Sequence, residues 1–338
     1  MPAIKVKKDD LYNTISNLIE DAKKDVARSI NHAMVHTYFL IGKMIVEHLQ
    51  KGNLRASYSK ETIRKLSNKL SKKFGKGFSA DNLESMRKFY LSYQFRISET
   101  VSRKSDGLLF TLSWSHYVRL LRIEDIDERS FYEIEATEQQ WSVRELQRQF
   151  DSALYERLAL SKNKKKIKQL ATKGQTISRA DDVIKEPLVL EFLGLKPANT
   201  FSESDLETAI ISKLQDFLLE LGKGFTFVAR QQRITFDGKH FYIDLVFYNR
   251  LLKSFVLIDL KIGDLEHKDI GQMQMYVNYY DRTVKIKEEN KTIGIILCKD
   301  KSDILVEYTL PKENNQIFAS KYQLVLPKKA ELKKLLNS

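Results

Sequence analysis

The chain has 338 residues, 42% of them hydrophobic, a formal net charge of +13 and a single cysteine. A chain of this length predicts two domains with real cores. No apolar run approaches the ~20 residues that span a bilayer and no signal-peptide core opens the sequence, so we expect a cytoplasmic protein with no membrane contact. One cysteine excludes an intramolecular disulfide and a cysteine-based zinc cage, and the positive charge favours a polyanionic partner.

The N-terminal half carries a helical pattern with almost no strand signal. Apolar residues recur at helical spacing across residues 11–160, as in Leu11, Ile15 and Leu18. This pattern predicts an all-α domain over residues 1–165.

One part of this half fits a helix-turn-helix. A helix over residues 63–74, the turn Gly75-Lys76-Gly77 and a second helix capped at Ser79 have the required order. In this interpretation the candidate DNA-contacting residues are Lys76, Asn82, Arg87 and Lys88. A plain helical hairpin with solvated charges explains the same pattern, and both interpretations stay open.

A basic, polar stretch without periodicity follows the helical half. It predicts a linker over residues 166–185. Its lysines are either solvated or in nonspecific contact with a phosphate backbone.

Beyond Pro187 the sequence alternates between helix and strand signals. An apolar helical stripe over residues 206–221 ends at Gly222. The turn Asp237-Gly238 is typical of a tight hairpin that needs positive φ. The remaining pattern predicts strands over 225–236, 239–248, 254–261, 292–298 and 322–326, and a helix over 265–281. We therefore expect a mixed α/β domain over residues 186–338.

Two aspartates and a lysine interrupt strands of otherwise apolar character. Side chains alternate across a strand, so Asp244 on one strand and Asp259 on the next can project from one sheet face, with Lys261 on the same side. A buried carboxylate costs several kcal/mol unless a partner or metal compensates it. The pair is typical of a magnesium site that activates water for phosphodiester hydrolysis, with Lys261 orienting the water or stabilising the transition state. A buried salt bridge at a strand end is the alternative.

Three further residues are candidates for the same site. Gln272 and Tyr276 are four residues apart and share one helix face, which either faces the acids or reflects ordinary amphipathicity. Glu207 either supplies a third carboxylate to the metal or closes a capping box that begins at Ser204.

Several segments carry a family resemblance. In the C-terminal half they are Phe241–Leu245, Ile258–Lys261 and Gly271–Tyr276; in the helical half they are Phe74–Ser79, Leu112–Tyr117 and Trp141–Leu146. Together these segments resemble the YhcG-like proteins of the PD-(D/E)xK nuclease superfamily, which join a helical N-terminal domain to a nuclease domain.

The resemblance implies a restriction-endonuclease-like mixed sheet flanked by helices and cleavage of DNA that depends on magnesium, with manganese as an alternative. It implies Asp244, Asp259 and Glu207 as metal ligands, Lys261 as the catalytic lysine, and Gln272 and Tyr276 as supporting residues. Asp259 stands where relatives generally have glutamate, so its shorter side chain draws the metal towards the strand. A noncatalytic DNA-binding or assembly protein that retains the fold is the alternative, and a homo-oligomer is compatible with either.

Overall fold

A computed structural model of the chain describes residues 8–51, 56–101, 110–160, 164–196, 201–311 and 313–337. The chain divides into two compact units: unit 1 is Met1–Arg129 with Ala136–Val143, and unit 2 is Ser130–Glu135 with Arg144–Ser338. Among the described helices none has both the length and the apolar character that a membrane crossing requires.

Among the described residues of unit 1 every regular element is a helix, as predicted. Its helices are α1 (Lys8–Lys51), α2 (Ala56–Phe74), α3 (Ala80–Val101), α4 (Trp114–Leu120) and the two ends of α5 (Ile126–Glu138), whose middle belongs to unit 2. The core lies where α1 meets α3: Phe39 and Phe89 are buried and their rings meet edge to face, with centroids 5.8 Å apart. Tyr117 of α4 and Phe110 complete this aromatic core.

The turn between α2 and α3 has the predicted elements. Gly75 adopts a φ of 91°, a short 3-10 turn follows, and the Ser79 hydroxyl accepts a hydrogen bond of 3.3 Å from the backbone N–H of Asn82. The Asn82 amide donates to the Gly77 carbonyl and accepts from the Trp114 indole at 2.8 Å. Asn82 therefore holds the turn together, and its DNA-contacting role, like the helix-turn-helix, stays a prediction.

The other three candidate DNA-contacting residues differ in their surroundings. Lys76 and Lys88 are exposed, whereas Arg87 donates three hydrogen bonds, of 2.5, 3.0 and 3.1 Å, to Glu84 on the same helix. The two lysines are thus the accessible charges of this group.

Unit 2 contains the remaining helices and one sheet. The helices are α6 (Val143–Asp151), α7 (Leu154–Leu160), α8 (Lys164–Lys173), α9 (Glu203–Ser212), α10 (Leu214–Leu221), α11 (His267–Tyr279), α12 (Asp303–Thr309) and α13 (Lys329–Asn337). The strands are β1 (Leu188–Val189), β2 (Phe225–Phe236), β3 (Lys239–Asn249), β4 (Ser254–Leu260), β5 (Ile293–Cys298) and β6 (Ile317–Gln323).

The six strands form a mixed sheet in the order β1-β6-β5-β4-β3-β2. Strands β2, β3 and β4 are antiparallel neighbours, while β4, β5, β6 and β1 pair in parallel. One core, which includes Leu206 and Phe217, joins α9 and α10 to the sheet, and a second, which includes Met273 and Val277, joins α11 to it. Gly294 allows α11 to lie this close, since a Cβ there would lie 2.5 Å from the Met273 sulfur. The predicted mixed sheet flanked by helices is confirmed.

Three local predictions differ from the structure. The single helix expected over residues 206–221 is two helices, because Lys213 leaves the helical conformation with a φ of −121° and a ψ of 33°. The last strand begins at Ile317 rather than at Tyr322 and ends at Gln323. Part of the predicted linker folds as α8, where Leu170 is buried. Lys185, at the end of the predicted linker, is buried as well. The boundaries predicted at residues 165 and 186 remain predictions, whereas the compact units divide the chain at residues 129, 135 and 143.

Candidate active site

The hairpin of β2 and β3 sets the register of the site. Asp237 and Gly238 both adopt positive φ, 46° and 76°, as this tight turn requires. Arg230 then pairs with Leu245 and Gln232 with Ile243, which places Gln231 opposite Asp244. The turn therefore brings a polar side chain of β2 to the first acid of the site.

The two aspartates meet across β3 and β4. Leu245 pairs with Ile258, so the next positions along the two antiparallel strands are Asp244 and Asp259. Asp244 Oδ2 accepts a 2.8 Å hydrogen bond from the backbone N–H of Leu260, which fixes that carboxylate against β4. The sequence prediction that adjacent strands bring the two acids together is met by this register.

Asp259 is the more deeply buried acid, with only 2% of its surface exposed. Burial, reinforced by the charge of Asp244, raises the pKa of Asp259 to about 7, against the opposing charge of Lys261. Lys261 Nζ lies 2.8 Å from Asp259 Oδ2 as an ion pair, but its charge only partly offsets the effect of burial and of Asp244 on this carboxyl. The site thus holds a buried carboxylate that is incompletely compensated.

Asp244 shows the same deficit of positive charge. Burial raises the pKa of Asp244, although the Leu260 N–H, the Lys261 charge and the Gln231 amide all act to lower it. Two neighbouring carboxyls whose pKa values are both raised form a site that an added cation would stabilise.

Lys261 carries the one positive charge at the centre of the described site. Burial favours its neutral form, yet the charges of Asp259, Glu203 and Asp244 prevail and raise the pKa of Lys261. Glu203 Oε2 lies 3.8 Å from the ammonium. The backbone N–H of Lys261 also donates to the Leu297 carbonyl at 2.8 Å, which anchors the residue beside the end of β5. Lys261 is therefore a positioned ammonium group.

Glu207 on α9 is 3% exposed and is linked to Asp244 through the side chain of Gln231. Its carboxylate forms an ion pair with Arg230 and accepts a 2.5 Å hydrogen bond from Gln231. The capping interpretation of Glu207 is wrong, because the capping box of α9 is formed by Ser202 and Asp205. Its role as a third metal ligand stays a prediction.

Gln272 and Tyr276 lie on the face of α11 that meets β3. Gln272 donates a 2.5 Å hydrogen bond to the Tyr276 hydroxyl, which in turn donates to the Tyr242 carbonyl at 2.9 Å. Burial raises the pKa of Tyr276, and the charges of Asp259 and Asp244 raise it further. A neutral tyrosine thus lies near both acids and fastens α11 to the strand that carries Asp244.

Three residues of this site are not among those predicted from the sequence: Arg230, Gln231 and Glu203. The polar run from Arg230 to Arg233 within a strand was a usable signal. Counting back from the hairpin turn would have placed Gln231 opposite Asp244. Glu203 precedes Glu207 by one helical turn, a spacing that by itself singles out no site.

A divalent cation suits the chemistry of this donor set. No group of three or more histidine, cysteine, aspartate or glutamate side chains among the described residues forms a ready metal cage. The two aspartates nevertheless present oxygen donors of the kind that magnesium prefers, with one lysine between them to balance their charge. The pKa values of both aspartates are raised because their negative charge is poorly balanced in a partly buried place, and a bound cation would supply the missing positive charge.

Comparison with known proteins agrees with this architecture. The model of the family described as "YhcG PDDEXK nuclease domain" matches residues 181–337, and that described as "DUF1016 N-terminal domain" matches residues 14–157. The Escherichia coli (strain K12) protein named "Putative nuclease YhcG" is 38% identical over 349 residues, covering 95% of this chain and 92% of that protein.

Two solved structures show weaker likenesses. The first is the "crystal structure of a repair endonuclease from Pyrococcus abyssi", with 21% identity, a TM-score of 0.26, and 38% of this chain and 50% of that chain covered. The second is the "Structure of EndoMS in apo form", with 17% identity, a TM-score of 0.26, and 39% and 49% covered. At such TM-scores neither likeness bears on the function of this chain. The two family models and the long match at 38% identity do: the chain belongs to the YhcG family, whose members carry a PDDEXK nuclease domain.

Proposed function

We propose that unit 2 hydrolyses phosphodiester bonds in DNA, with Mg²⁺ as its cofactor and Mn²⁺ as an alternative. The observation that carries this proposal is the pair formed by half-buried Asp244 and buried Asp259, both with raised pKa values, next to the ammonium of Lys261. A structural salt bridge pairs one acid with one base, whereas here a buried and a half-buried carboxylate share one lysine. The excess negative charge supports a cation site rather than a purely structural pair.

Each residue has a proposed task. Asp244 and Asp259 would hold the cation, and Glu207 would support it from α9. When bound, a divalent cation lowers the pKa of a water and neutralises charge that develops on the phosphate. Lys261 would orient the attacking water or stabilise the charge on the phosphate through its ammonium. Gln231 keeps Asp244 in place, and Tyr276 with Gln272 fixes the packing of α11 against β3.

DNA is the proposed substrate because the whole chain carries a net charge of +13, which favours contact with a phosphate backbone. Unit 1 is proposed to contribute to that contact through Lys76 and Lys88, which are exposed near the α2–α3 turn. Binding of this kind weakens steeply with added salt, so both cleavage and retention of DNA should decline as ionic strength rises.

The test is a cleavage assay of the full chain with linear, circular and single-stranded DNA and with an RNA of matched sequence. Reactions contain Mg²⁺, Mn²⁺ or EDTA. We expect cleavage of DNA with either cation, and at least a 100-fold loss in Asp244→Ala and Lys261→Ala. Lys239→Ala is the matched control, because this lysine is exposed at the tip of the hairpin.

The outcomes separate the alternatives. A wild-type chain that binds DNA but cleaves nothing with either cation would be a noncatalytic binding protein. Cleavage of RNA in preference to DNA would support a nuclease whose substrate is RNA rather than DNA. Equal activity of Lys261→Ala and Lys239→Ala would remove Lys261 from the mechanism.

A further inference from the structure

The hairpin of β2 and β3 extends beyond the rest of the sheet. Strand β3 pairs with β4 from Asn249 only as far as Leu245, whereas its pairing with β2 continues to Lys239 at the tip. Residues 231–244 therefore form a two-stranded ribbon that begins at the candidate site. Six residues in each strand give this ribbon a length of about 20 Å.

One face of the ribbon packs against α11. Ile234 and Ile243 are buried in the core that also contains Met273 of α11. Because side chains alternate along a strand, the alternate positions face away from α11. We call this second side the outer face of the ribbon. Beyond the candidate site it carries four exposed residues: Arg233, Thr235, His240 and Tyr242.

The outer face continues directly from the candidate site. Gln231 and Asp244 are hydrogen-bonded to each other across the two strands, and the next pair on the same face is Arg233 opposite Tyr242. Residues two apart on one strand are separated by about 7 Å, so Tyr242 lies one step beyond the carboxylate of Asp244. A nucleic-acid strand with a phosphate at Asp244 therefore has a neighbouring nucleotide within reach of this pair.

Tyr242 combines a fixed backbone with an open ring. Its carbonyl accepts the 2.9 Å hydrogen bond from the Tyr276 hydroxyl, which ties this part of β3 to α11. Its side chain is 46% exposed, and among the described residues no aromatic ring packs against it. Phe236 and Phe241, by contrast, contact each other on the opposite face, with ring centroids 6.2 Å apart. An exposed aromatic is ordinary on a protein surface, but this one lies beside the candidate site.

Arg233 supplies positive charge next to this ring. The guanidinium of Arg230 is paired with Glu207, whereas no acid among the described residues forms an ion pair with Arg233. Farther out, the Thr235 hydroxyl and His240 Nδ1 are hydrogen-bonded to each other at 2.9 Å. A cation beside an open aromatic ring is the combination with which proteins hold single-stranded nucleic acid.

We propose that the outer face of the ribbon binds the substrate strand through one unpaired nucleotide next to the scissile phosphate. Tyr242 stacks on the base of this nucleotide, and Arg233 contacts its phosphate. The inference rests on the proposed nuclease function and specifies its substrate: DNA whose bases are unpaired at the cleaved position, such as a single strand or a fork.

Stacking on Tyr242 requires a base that has left the double helix. Inside a duplex both faces of a base are covered by its neighbours, so an aromatic side chain stacks only on an unpaired or extruded nucleotide. A two-stranded ribbon can instead enter the major groove, where it reads base edges through hydrogen-bonding side chains. Thr235 and His240 bond to each other, which leaves the outer face with one ring and one guanidinium. This composition favours the unpaired nucleotide.

The first experiment measures binding without cleavage. Fluorescence anisotropy of the full chain in EDTA compares a labelled single strand of DNA with the blunt duplex of the same sequence, at one salt concentration. We expect Tyr242→Leu to weaken binding to the single strand about 10- to 100-fold and to leave binding to the duplex unchanged. Tyr242→Phe should bind as the wild type does, because it keeps the ring. The matched control is Tyr308→Leu, which removes a tyrosine that is 86% exposed on α12.

The contribution of Arg233 is measured in the same assay. Arg233→Gln should weaken binding to the single strand and lower the slope of log affinity against log salt by about 1, the value for one phosphate contact. Arg282→Gln is the matched control, because it removes an exposed arginine that lies after α11 and outside the ribbon.

Three results would overturn the inference: unchanged binding to the single strand in Tyr242→Leu, an equal loss in Tyr242→Phe, or equal effects of Arg233→Gln and Arg282→Gln. Cleavage with Mg²⁺ separates the inference from the proposed function. The wild type should cut a single strand and a fork faster than a closed circular duplex, and the reverse order would overturn the inference while the nuclease function stands. A wild-type chain that cleaves no DNA, but loses single-strand binding in Tyr242→Leu, would overturn the proposed function alone.

Discussion

Gln231 donates a 3.0 Å hydrogen bond from its side-chain amide to the carboxylate of Asp244. The same nitrogen lies 2.5 Å from Glu207, so one amide group joins two acids that would otherwise repel each other. Gln231 also has a φ of 48°, in the left-handed region that residues other than glycine rarely adopt. A strained backbone position therefore holds the first acid of the candidate site in place.

We expect Gln231→Leu to lower the affinity for Mn²⁺ by about 10- to 100-fold, the usual effect of removing a group that orients a metal ligand. The substitution removes the amide and leaves two carboxylates facing each other. Calorimetric titration of the full chain with Mn²⁺ measures the effect, and cleavage should decline with it. Gln232→Leu is the matched control, because Gln232 is an exposed neighbour on the same strand. Unchanged cation affinity in Gln231→Leu would show that the amide only stabilises the fold.

Replacing Asp259 should stabilise the cation-free chain. Its pKa of about 7 in the folded state exceeds that of an unfolded aspartate, so the folded state binds more protons between about pH 4 and 7 and loses stability as the pH rises through that window. At pH 8 we expect Asp259→Asn to gain roughly 2 kcal/mol in the free energy of unfolding. Urea titration in EDTA measures this, with the exposed Asp264→Asn as control. The same variant should lose both cation binding and cleavage. A destabilised Asp259→Asn would mean that the carboxylate is already compensated.

A second charged cluster in unit 2 should dominate acid unfolding. Glu220 is fully buried, and although burial opposes its charged form, Arg157, Arg148 and Lys185 lower its pKa to about 2. Because this pKa is depressed, its stabilising effect is present above about pH 4.5 and is lost as the pH falls towards 2, which amounts to roughly 3 kcal/mol.

Unfolding by urea at successive pH values tests this cluster. Glu220→Gln should be less stable at pH 7 and should show a flatter decline between pH 4.5 and 2. Glu191→Gln is the control, since Glu191 shares Arg148 but lies nearer the surface. Parallel pH profiles for Glu220→Gln and the wild type would contradict the assignment.

The same cluster sets the smallest fragment that folds. Arg148 lies 2.8 Å and Arg157 2.5 Å from the Glu220 carboxylate, yet both precede residue 181, where the match to the nuclease family model begins. Removing both arginines leaves the buried carboxylate of Glu220 with too little positive charge beside it, which lowers the free energy of unfolding by about 3–5 kcal/mol.

A fragment of residues 130–338 should unfold cooperatively on heating, and a fragment of residues 181–338 should not. Glu220→Leu in the shorter fragment should restore part of the transition, because an apolar side chain needs no arginine. Differential scanning calorimetry compares the three fragments. Cooperative unfolding of the unmodified short fragment would show that the arginines are dispensable.

The hairpin of the site could be predicted closely because its signals are local. The Asp237-Gly238 turn requires positive φ at both residues, and the flanking segments alternate around it, so strands 225–236 and 239–248 agree with the structure to within one residue. The two aspartates stood out for a related reason: a charge within an apolar strand conflicts with its surroundings.

Other features depend on tertiary contacts that no local pattern encodes. The break at Lys213 interrupts a continuous apolar stripe, so periodicity alone predicts one helix. The middle of strand β6 has the polar sequence Ser320-Lys321, so the sequence does not indicate a buried strand. In the structure Ser320 is nevertheless completely buried. Arg157 has the sequence context of an ordinary surface arginine, and only its distant partner Glu220 explains its burial. Long-range pairs of this kind become visible only once the chain is folded.

The two-residue turn limits which insertions and deletions the candidate site tolerates. Gln231 lies six residues before Asp237, and Asp244 lies six residues after Gly238. Because side chains alternate along a strand, one residue inserted in either arm would turn its polar group to the opposite face, whereas two would restore the face and shift the pairing. The site thus depends on whether the number of residues between the turn and each polar group is odd or even. Deleting one residue from either strand between the turn and its polar group would disrupt the site without removing any site residue.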